Sequence, residues 1–175
     1  MTTHVRMKHV MDECALENAP PLILLVDDDA VTRKMLRNLF TLSGYRVADA
    51  EDGARAVEMF RELSPDLVLL DIMMPVMDGY GACAAIRGLP GGEHVPIIIM
   101  TALDDANSIG RAFDAGATDF LEKPVNWMLL NHRLPYLLRA RDAFVSLQRS
   151  EATSRLLSGE LMALLNSIND SLVLF

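Results

Sequence analysis

The sequence predicts a doubly wound α/β sandwich around a five-stranded parallel sheet, with a long helical extension at its C-terminal end. Two observations carry that expectation. Short apolar runs alternate with amphipathic stretches of helical period along the middle of the chain, and polar residues recur at the downstream end of each run. Parallel strands covered on both faces read as unbroken apolar runs, and right-handed crossovers distribute the intervening helices over both faces.

Taken in order, the first strand is Leu22–Val26, and Val31, Met35, Leu36, Leu39 and Phe40 mark a helix that Ser43 and Gly44 stop. The second strand covers residues 45–50. Ala56, Val57, Phe60 and Leu63 mark the next helix, ended by Ser64 and Pro65. A third strand over residues 66–70 precedes a helix that follows Gly79 and ends near Gly88. A fourth strand over residues 95–100 precedes a helix from about Asp105 to Ala115, with Gly116 as its C-terminal glycine. The fifth strand spans residues 118–121, and Asn126 is a good N-cap for a fifth helix. Residues 1–20 show neither period and end at Pro20, which reads as a disordered tail.

Composition narrows the class. With 51% hydrophobic and 23% charged residues the chain is globular in character, outside the disordered, collagenous and disulfide-scaffold classes. Sixteen Lys and Arg against 24 Asp and Glu give a net charge of -8, the wrong sign for gripping a nucleic-acid backbone, so no nucleic acid is expected as a partner. The two cysteines, Cys14 and Cys83, have no metal-ligand spacing, and no apolar leader follows Arg6 and Lys8; both facts fit a reduced cytoplasm. The apolar runs are far too short to cross a bilayer, so no membrane is expected.

The polar residues that close the runs are the candidate site. Asp27, Asp28 and Asp29 follow the first strand, Asp71 the third, Thr101 the fourth and Lys123 the fifth. An open α/β sheet puts its ligand crevice at these carboxyl ends. Any one such Asp has an even chance of being only a helix cap or turn residue. As a set, Asp27, Asp28 and Asp71 bring carboxylates together from neighbouring strands, and that cluster repels itself unless protons or a divalent cation neutralise it. Oxygen ligands suit Mg²⁺ or Mn²⁺. Cys83 among alanines reads as a packing residue, His94 and His132 as surface histidines, and the glycine-rich stretch over residues 88–92 as a connection without the context of a phosphate loop.

Val26-Asp27-Asp28-Asp29, Leu70-Asp71-Ile72-Met73-Met74-Pro75-Val76-Met77-Asp78-Gly79, Met100-Thr101-Ala102 and Lys123-Pro124 resemble the four motifs of the receiver domain of bacterial two-component response regulators. The resemblance covers residues 21–134. It implies a flavodoxin-like strand order 2-1-3-4-5 and a role in phosphorelay signalling, not enzymology in the ordinary sense. It further implies Asp71 as phosphoacceptor, Asp27, Asp28 and Asp71 with the Met73 backbone carbonyl around Mg²⁺ or Mn²⁺, and Lys123 beside the phosphoryl group. Thr101 and Phe120 are the implied switch residues, acting on the surface of the fourth helix, fifth strand and fifth helix. The implied donor is a sensor histidine kinase or a phosphotransfer protein. A cis Lys123-Pro124 bond is also expected from the resemblance. A Mg²⁺-dependent phosphatase of the haloacid-dehalogenase type shares this inventory but needs an acid two residues after the nucleophile, where Met73 stands. A degenerate receiver that only mediates contacts is the third alternative, and the full set of Asp28, Asp71, Thr101 and Lys123 argues against it.

Beyond residue 134 a heptad puts Leu137, Ala140, Phe144 and Leu147 at a and d positions, with Glu151, Ser154 and Ser158 as a polar centre before Leu161 and Leu165. Residues 135–168 are expected to form a coiled-coil linker, and residues 135–175 to pair two copies of the chain. Pro135 should kink this helix or open a fresh first turn, because a mid-helix proline costs about 3 kcal/mol. Residues 169–175 resemble the start of a PAS-like domain, which makes an output module further on the expectation; a standalone receiver with a helical tail is the alternative.

Overall fold

The computed structural model describes residues 19–102 and 106–172, with the backbone alone for residues 106–108, 160, 161 and 163–172. The expected tail lies mostly outside the described residues. The elements are β1 (Leu22–Val26), α1 (Ala30–Leu42), β2 (Arg46–Ala50), α2 (Gly53–Leu63), β3 (Leu67–Asp71), α3 (Gly79–Arg87), β4 (Ile97–Thr101), α4 (Ala106–Asp114), β5 (Asp119–Glu122) and α5 (Trp127–Leu172). All strand pairs are parallel and the order is β2-β1-β3-β4-β5. Four strands therefore differ from the sequence boundaries by a residue or two. At β4 the reason is chemical: Pro96 has no N–H for the ladder, although its carbonyl accepts from Val68 N at 2.9 Å.

The three inner strands, β1, β3 and β4, are buried throughout. Alternation along each strand divides their side chains between two layers. Leu24, Val26, Val68, Leu70, Ile97 and Ile99 join Phe60 of α2 and Ile86 of α3 in one core. Ile23, Leu25, Leu67, Leu69, Ile98 and Met100, also fully buried, point the other way. That second layer holds Leu36 and Phe40 of α1, and Phe40 meets Trp127, at the start of α5, edge-on with ring centroids 5.1 Å apart. Truncating a buried ring such as Phe40 costs about 3–5 kcal/mol.

Carboxylates and an amide start four of the helices. Asp29 caps α1 by accepting from Val31 N and Thr32 N at 3.1 Å, Asp52 caps α2, and Asp78 caps α3. Asn126 accepts from Leu129 N at 3.1 Å and caps α5.

The described residues divide into two units between Leu130 and Asn131. The second is the remainder of α5. This helix begins at Trp127, directly after the expected Asn126 cap, and runs without interruption through Pro135. No fresh first turn forms: one missing N–H and one displaced carbonyl are local costs, and the intact turns on either side outweigh them. Phe144, Leu147, Leu156, Leu157 and Met162 are exposed along it. The hydroxyls of Thr153 and Ser158 turn back onto the carbonyls of Arg149 and Ser154, both at 2.9 Å. The helix continues through residues 169–172, where the sequence suggests that a further domain opens; residues 173–175 lie outside the described set. Among the described residues no helix is long and apolar enough to cross a membrane.

Candidate functional site

Register decides what meets at the carboxyl edge of the sheet. Val26 lies opposite Leu70, Asp71 opposite Met100, and Thr101 opposite Glu122, so the last residues of β3 and β4 and those just past β1 and β5 converge on one rim. Asp27, Asp28 and Asp71 each bring a carboxylate oxygen within 4.8 Å of the others. Asp27 is fully buried, Asp71 is 6% exposed, and Asp28 faces solvent.

Lys123 is carried into this group from β5. Its Nζ lies 2.8 Å from Asp27 Oδ2 and 3.0 Å from Asp71 Oδ2. The Lys123-Pro124 bond is cis. Lys123 N also donates to the Thr101 carbonyl at 2.7 Å, which ties the lysine to the end of β4. Asp71 Oδ1 accepts from Ile72 N at 2.8 Å, and Asp27 Oδ1 accepts from Asp29 N at 2.9 Å. Burial pushes the Asp71 carboxyl up, and the Asp27 charge adds to this against the opposing pull of Lys123 and of the Ile72 N–H. Burial alone would lower the Lys123 ammonium, but its hydrogen bonds to Asp27 and Asp71 outweigh burial and raise it. The result is three carboxylates against one ammonium, an excess of negative charge presented by hard oxygen donors. That set fits a divalent cation of the Mg²⁺ or Mn²⁺ kind.

Asp29 is not part of the cluster. Its oxygens cap α1 and accept from Thr32 Oγ1 at 2.6 Å, and this hydrogen bonding holds its carboxyl below the ordinary range.

The β3–α3 turn that carries Met73 is held by close backbone packing. Met77 N donates to Pro75 O at 2.7 Å across Val76, whose φ of 67° is rare for a β-branched residue. Gly79 N closes the turn on Ile72 O at 2.9 Å, and a Cβ at Gly79 would meet Asp71 O at 2.1 Å, so only glycine fits behind the nucleophile candidate. Met73 itself is 66% exposed. Thr101 is buried at the end of β4. Phe120 is half-buried on β5 and meets Phe113 of α4 edge-to-face, with centroids 6.1 Å apart at 89°.

One neighbour escapes sequence reasoning. Arg33 of α1 donates from Nη1 to the Asp27 carbonyl at 2.6 Å and lies 3.7 Å from Asp49 Oδ2 on β2. The available signal was a cation early in a helix, where the macrodipole disfavours it unless something else holds it.

Comparison with known proteins agrees with this geometry. The chain is 36% identical over 133 residues to the response regulator PleD of Caulobacter vibrioides, covering 76% of this chain and 29% of that protein. It is 40% identical over 120 residues to the response regulator MprA of a Mycobacterium species, covering 69% of this chain and 51% of that one. The chain thus spans about half or less of the length of these relatives. Among solved structures, the receiver domain of a sensor histidine kinase from Pseudomonas aeruginosa, with a magnesium ion coordinated in its active site cleft, is 34% identical with a TM-score of 0.65, covering 69% of this chain and 98% of that one. The chemotaxis protein CheY4 of Vibrio cholerae matches with a TM-score of 0.65 at 29% identity, covering 68% and 99%. The model of the response regulator receiver domain matches residues 23–134. With strand order, acidic rim and motif-bearing residues all in accord, the chain belongs to the response regulator receiver domain family, the signalling modules of two-component systems.

Proposed function

We propose that Asp71 accepts a phosphoryl group from a sensor histidine kinase or phosphotransfer protein in the cytoplasm, and that this switches the α4–β5–α5 surface to control a downstream output. The observation that carries the reading is the acidic rim, in which Asp27, Asp28 and Asp71 converge within 4.8 Å and one lysine bridges Asp27 and Asp71. Asp27, Asp28 and Asp71, with the Met73 carbonyl, are the residues that would hold Mg²⁺ or Mn²⁺. Such an ion, when bound, offsets charge on the transferring phosphoryl oxygens.

A carboxylate oxygen of Asp71 attacks phosphorus in line; the new O–P bond forms as the P–N bond of the phosphohistidine breaks, and the electron pair returns to the imidazole nitrogen, which takes up a proton from water. Lys123, which lies between Asp27 and Asp71, then serves the phosphoryl oxygens as counter-charge. Thr101, at the neighbouring strand end, moves inward to donate its hydroxyl to one of those oxygens. Phe120 turns into the space this vacates. Since it has no hydroxyl, packing alone distinguishes its two positions.

Incubation with acetyl phosphate and Mg²⁺, followed by intact-mass measurement, tests the assignment. Wild type should gain one phosphoryl group and Asp71→Asn none; equal labelling of the two overturns it.

We also propose that residues 135–175 pair two copies of the chain in parallel. Exposed Phe144 and Leu147, successive a and d positions of the heptad, favour this reading. Sedimentation at tens of micromolar should give a dimer for wild type and a monomer for Phe144→Ser with Leu147→Ser; a monomeric wild type overturns it.

A further inference from the structure

We propose that Arg33 is a positioning residue for divalent-cation binding at the acidic rim, holding the β1–α1 turn so that Asp27 and Asp28 present their carboxylates together. The inference rests on the reading of that rim as a cation site. The backbone of Asp27 is held on both sides of its Cα: its N–H donates to Ala50 O of β2 at 3.3 Å, and its carbonyl accepts from Arg33 Nη1 at 2.6 Å. The guanidinium is in turn aimed by Asp49, whose Oδ2 lies 3.7 Å from Arg33 Nε and which also pairs with Arg37. The Arg33 side chain is 16% exposed, so this link is sheltered from the solvent that weakens surface ion pairs.

The donor geometry explains why the residue is arginine. One edge of a planar guanidinium can serve a carbonyl while another faces a carboxylate, and a lysine ammonium has no such fork. The direct hydrogen bond goes to a neutral backbone oxygen, although three carboxylates converge just beyond it. Arg33 therefore acts through the backbone of Asp27.

Charge and position make opposite predictions. As a positive charge beside the rim, Arg33 repels a divalent cation, and its removal on that ground alone tightens binding. As a support for a ligand residue, its loss loosens the turn and weakens binding, by about 10-fold to 100-fold where comparable supports of metal ligands are removed. The positioning role requires the second sign.

Titration calorimetry with Mg²⁺ on the full chain decides it, with melting in EDTA as the control for folding. Arg33→Met should bind Mg²⁺ about tenfold more weakly, and Arg33→Lys, which keeps the charge but not the fork, should also bind more weakly. Asp49→Asn should shift the affinity in the same direction by a smaller factor. A role in folding alone would lower the melting temperature in EDTA and leave the Kd unmoved. Unchanged or tighter Mg²⁺ binding in the Arg33 variants, with wild type binding normally, overturns the positioning role alone; if Arg33→Met does not fold, Arg33→Lys and Asp49→Asn decide between the same two signs. A wild-type chain that binds no Mg²⁺ overturns the reading of the rim, and the role of Arg33 with it.

Discussion

Two half-buried cations, Lys123 and Arg87, stand at opposite ends of the same parallel sheet and are satisfied in opposite ways. Lys123, at the carboxyl end, faces the carboxylates of Asp27 and Asp71, with Asp28 beside them, so negative charge is left in excess. Arg87, at the amino end, donates to the carbonyls of Gly116 at 2.6 Å, Gly92 at 2.5 Å and Val95 at 2.7 Å, and to Thr118 Oγ1 at 3.1 Å. These partners are neutral and belong to the segments leading into β4 and β5. Burial pushes the Arg87 guanidinium down, whereas Lys123 is raised by its carboxylates. The contrast separates function from architecture. A cation whose hydrogen bonds end on backbone oxygens is complete in itself, while one that leaves two or more carboxylates only partly neutralised leaves a place for another charge.

The largest effects are expected at the unbalanced end. Lys123→Ala removes the counter-charge from a fully buried Asp27, so in EDTA at neutral pH it should cost about 3 kcal/mol, the range for breaking a buried ion pair. With Mg²⁺ present, its labelling by acetyl phosphate should fall by about 10²–10³-fold, as when one preorganised donor to a developing charge is lost. Chemical denaturation and intact-mass time courses measure the two effects. A variant that labels at the wild-type rate would mean that Lys123 is no more functional than Arg87.

Arg87→Met tests the other half of the comparison. Three carbonyls lose a donor, and a loss of about 2–3 kcal/mol in unfolding free energy is expected. Mg²⁺ affinity and labelling of the folded protein should be unaltered. Arg87→Lys should recover little, because one ammonium cannot reach the four oxygens the guanidinium spans. A Mg²⁺ affinity that falls along with stability would break the separation of the two ends.

What was legible in the sequence follows the same division. β1, β3 and β4 were visible because strands covered on both faces must be apolar throughout, and Asp27, Asp71 and Thr101 were visible because each interrupts such a run at its end. Arg33 and Arg87 were not, since their partners are backbone carbonyls brought near by the fold, and no residue type advertises a carbonyl. Asp29 stood outside the acidic set expected from the sequence, but its role as a cap was not legible there; the onset of α1 turns its side chain onto Val31 N and Thr32 N. Pro135 suggests a boundary because the cost of proline is local and readable, whereas the turns that carry α5 past it are a cooperative property of its whole length.

A smaller effect sharpens the electrostatics of the rim. Because the Asp71 carboxyl is raised above its ordinary value of 3.8, the folded chain holds this proton more tightly than the unfolded chain does. The metal-free protein therefore loses stability as pH rises through the window above 3.8 and stays less stable at neutral pH. Lys123 has the matching sign at the alkaline end: raised above 10.5, it contributes stability that is present below that pH and lost as pH climbs past it. Asp71→Asn should thus melt higher than wild type in EDTA at neutral pH, by roughly 2–4 °C, which about 1 kcal/mol gives in a domain of this size. The difference should shrink as pH is lowered towards 4 and the wild-type carboxyl takes up its proton. A lower melting temperature for Asp71→Asn in EDTA would show that the Lys123 pair already offsets the charge of the rim.

The smallest expected effect concerns the proposed switch at Phe120. Phe120 rests edge-to-face on Phe113, whose ring is 50% exposed, and this contact belongs to the arrangement in which Phe120 remains half-buried on the α4–β5 face. An aromatic pair of this geometry is worth about 0.5–1.5 kcal/mol beyond the area it buries. The proposed inward turn of Phe120 gives that contact up. Phe113→Ala removes the contact from the resting arrangement only, so beryllofluoride, a mimic of the phosphoryl group, should bind several-fold more tightly in the presence of Mg²⁺; about 1 kcal/mol corresponds to roughly fivefold. The affinity for Mg²⁺ alone should not change, because Phe113 lies on α4 and not among the carboxylates. Weaker beryllofluoride binding would mean that the Phe113 contact survives in the switched state and stabilises it, which places the packing difference at another neighbour of Phe120.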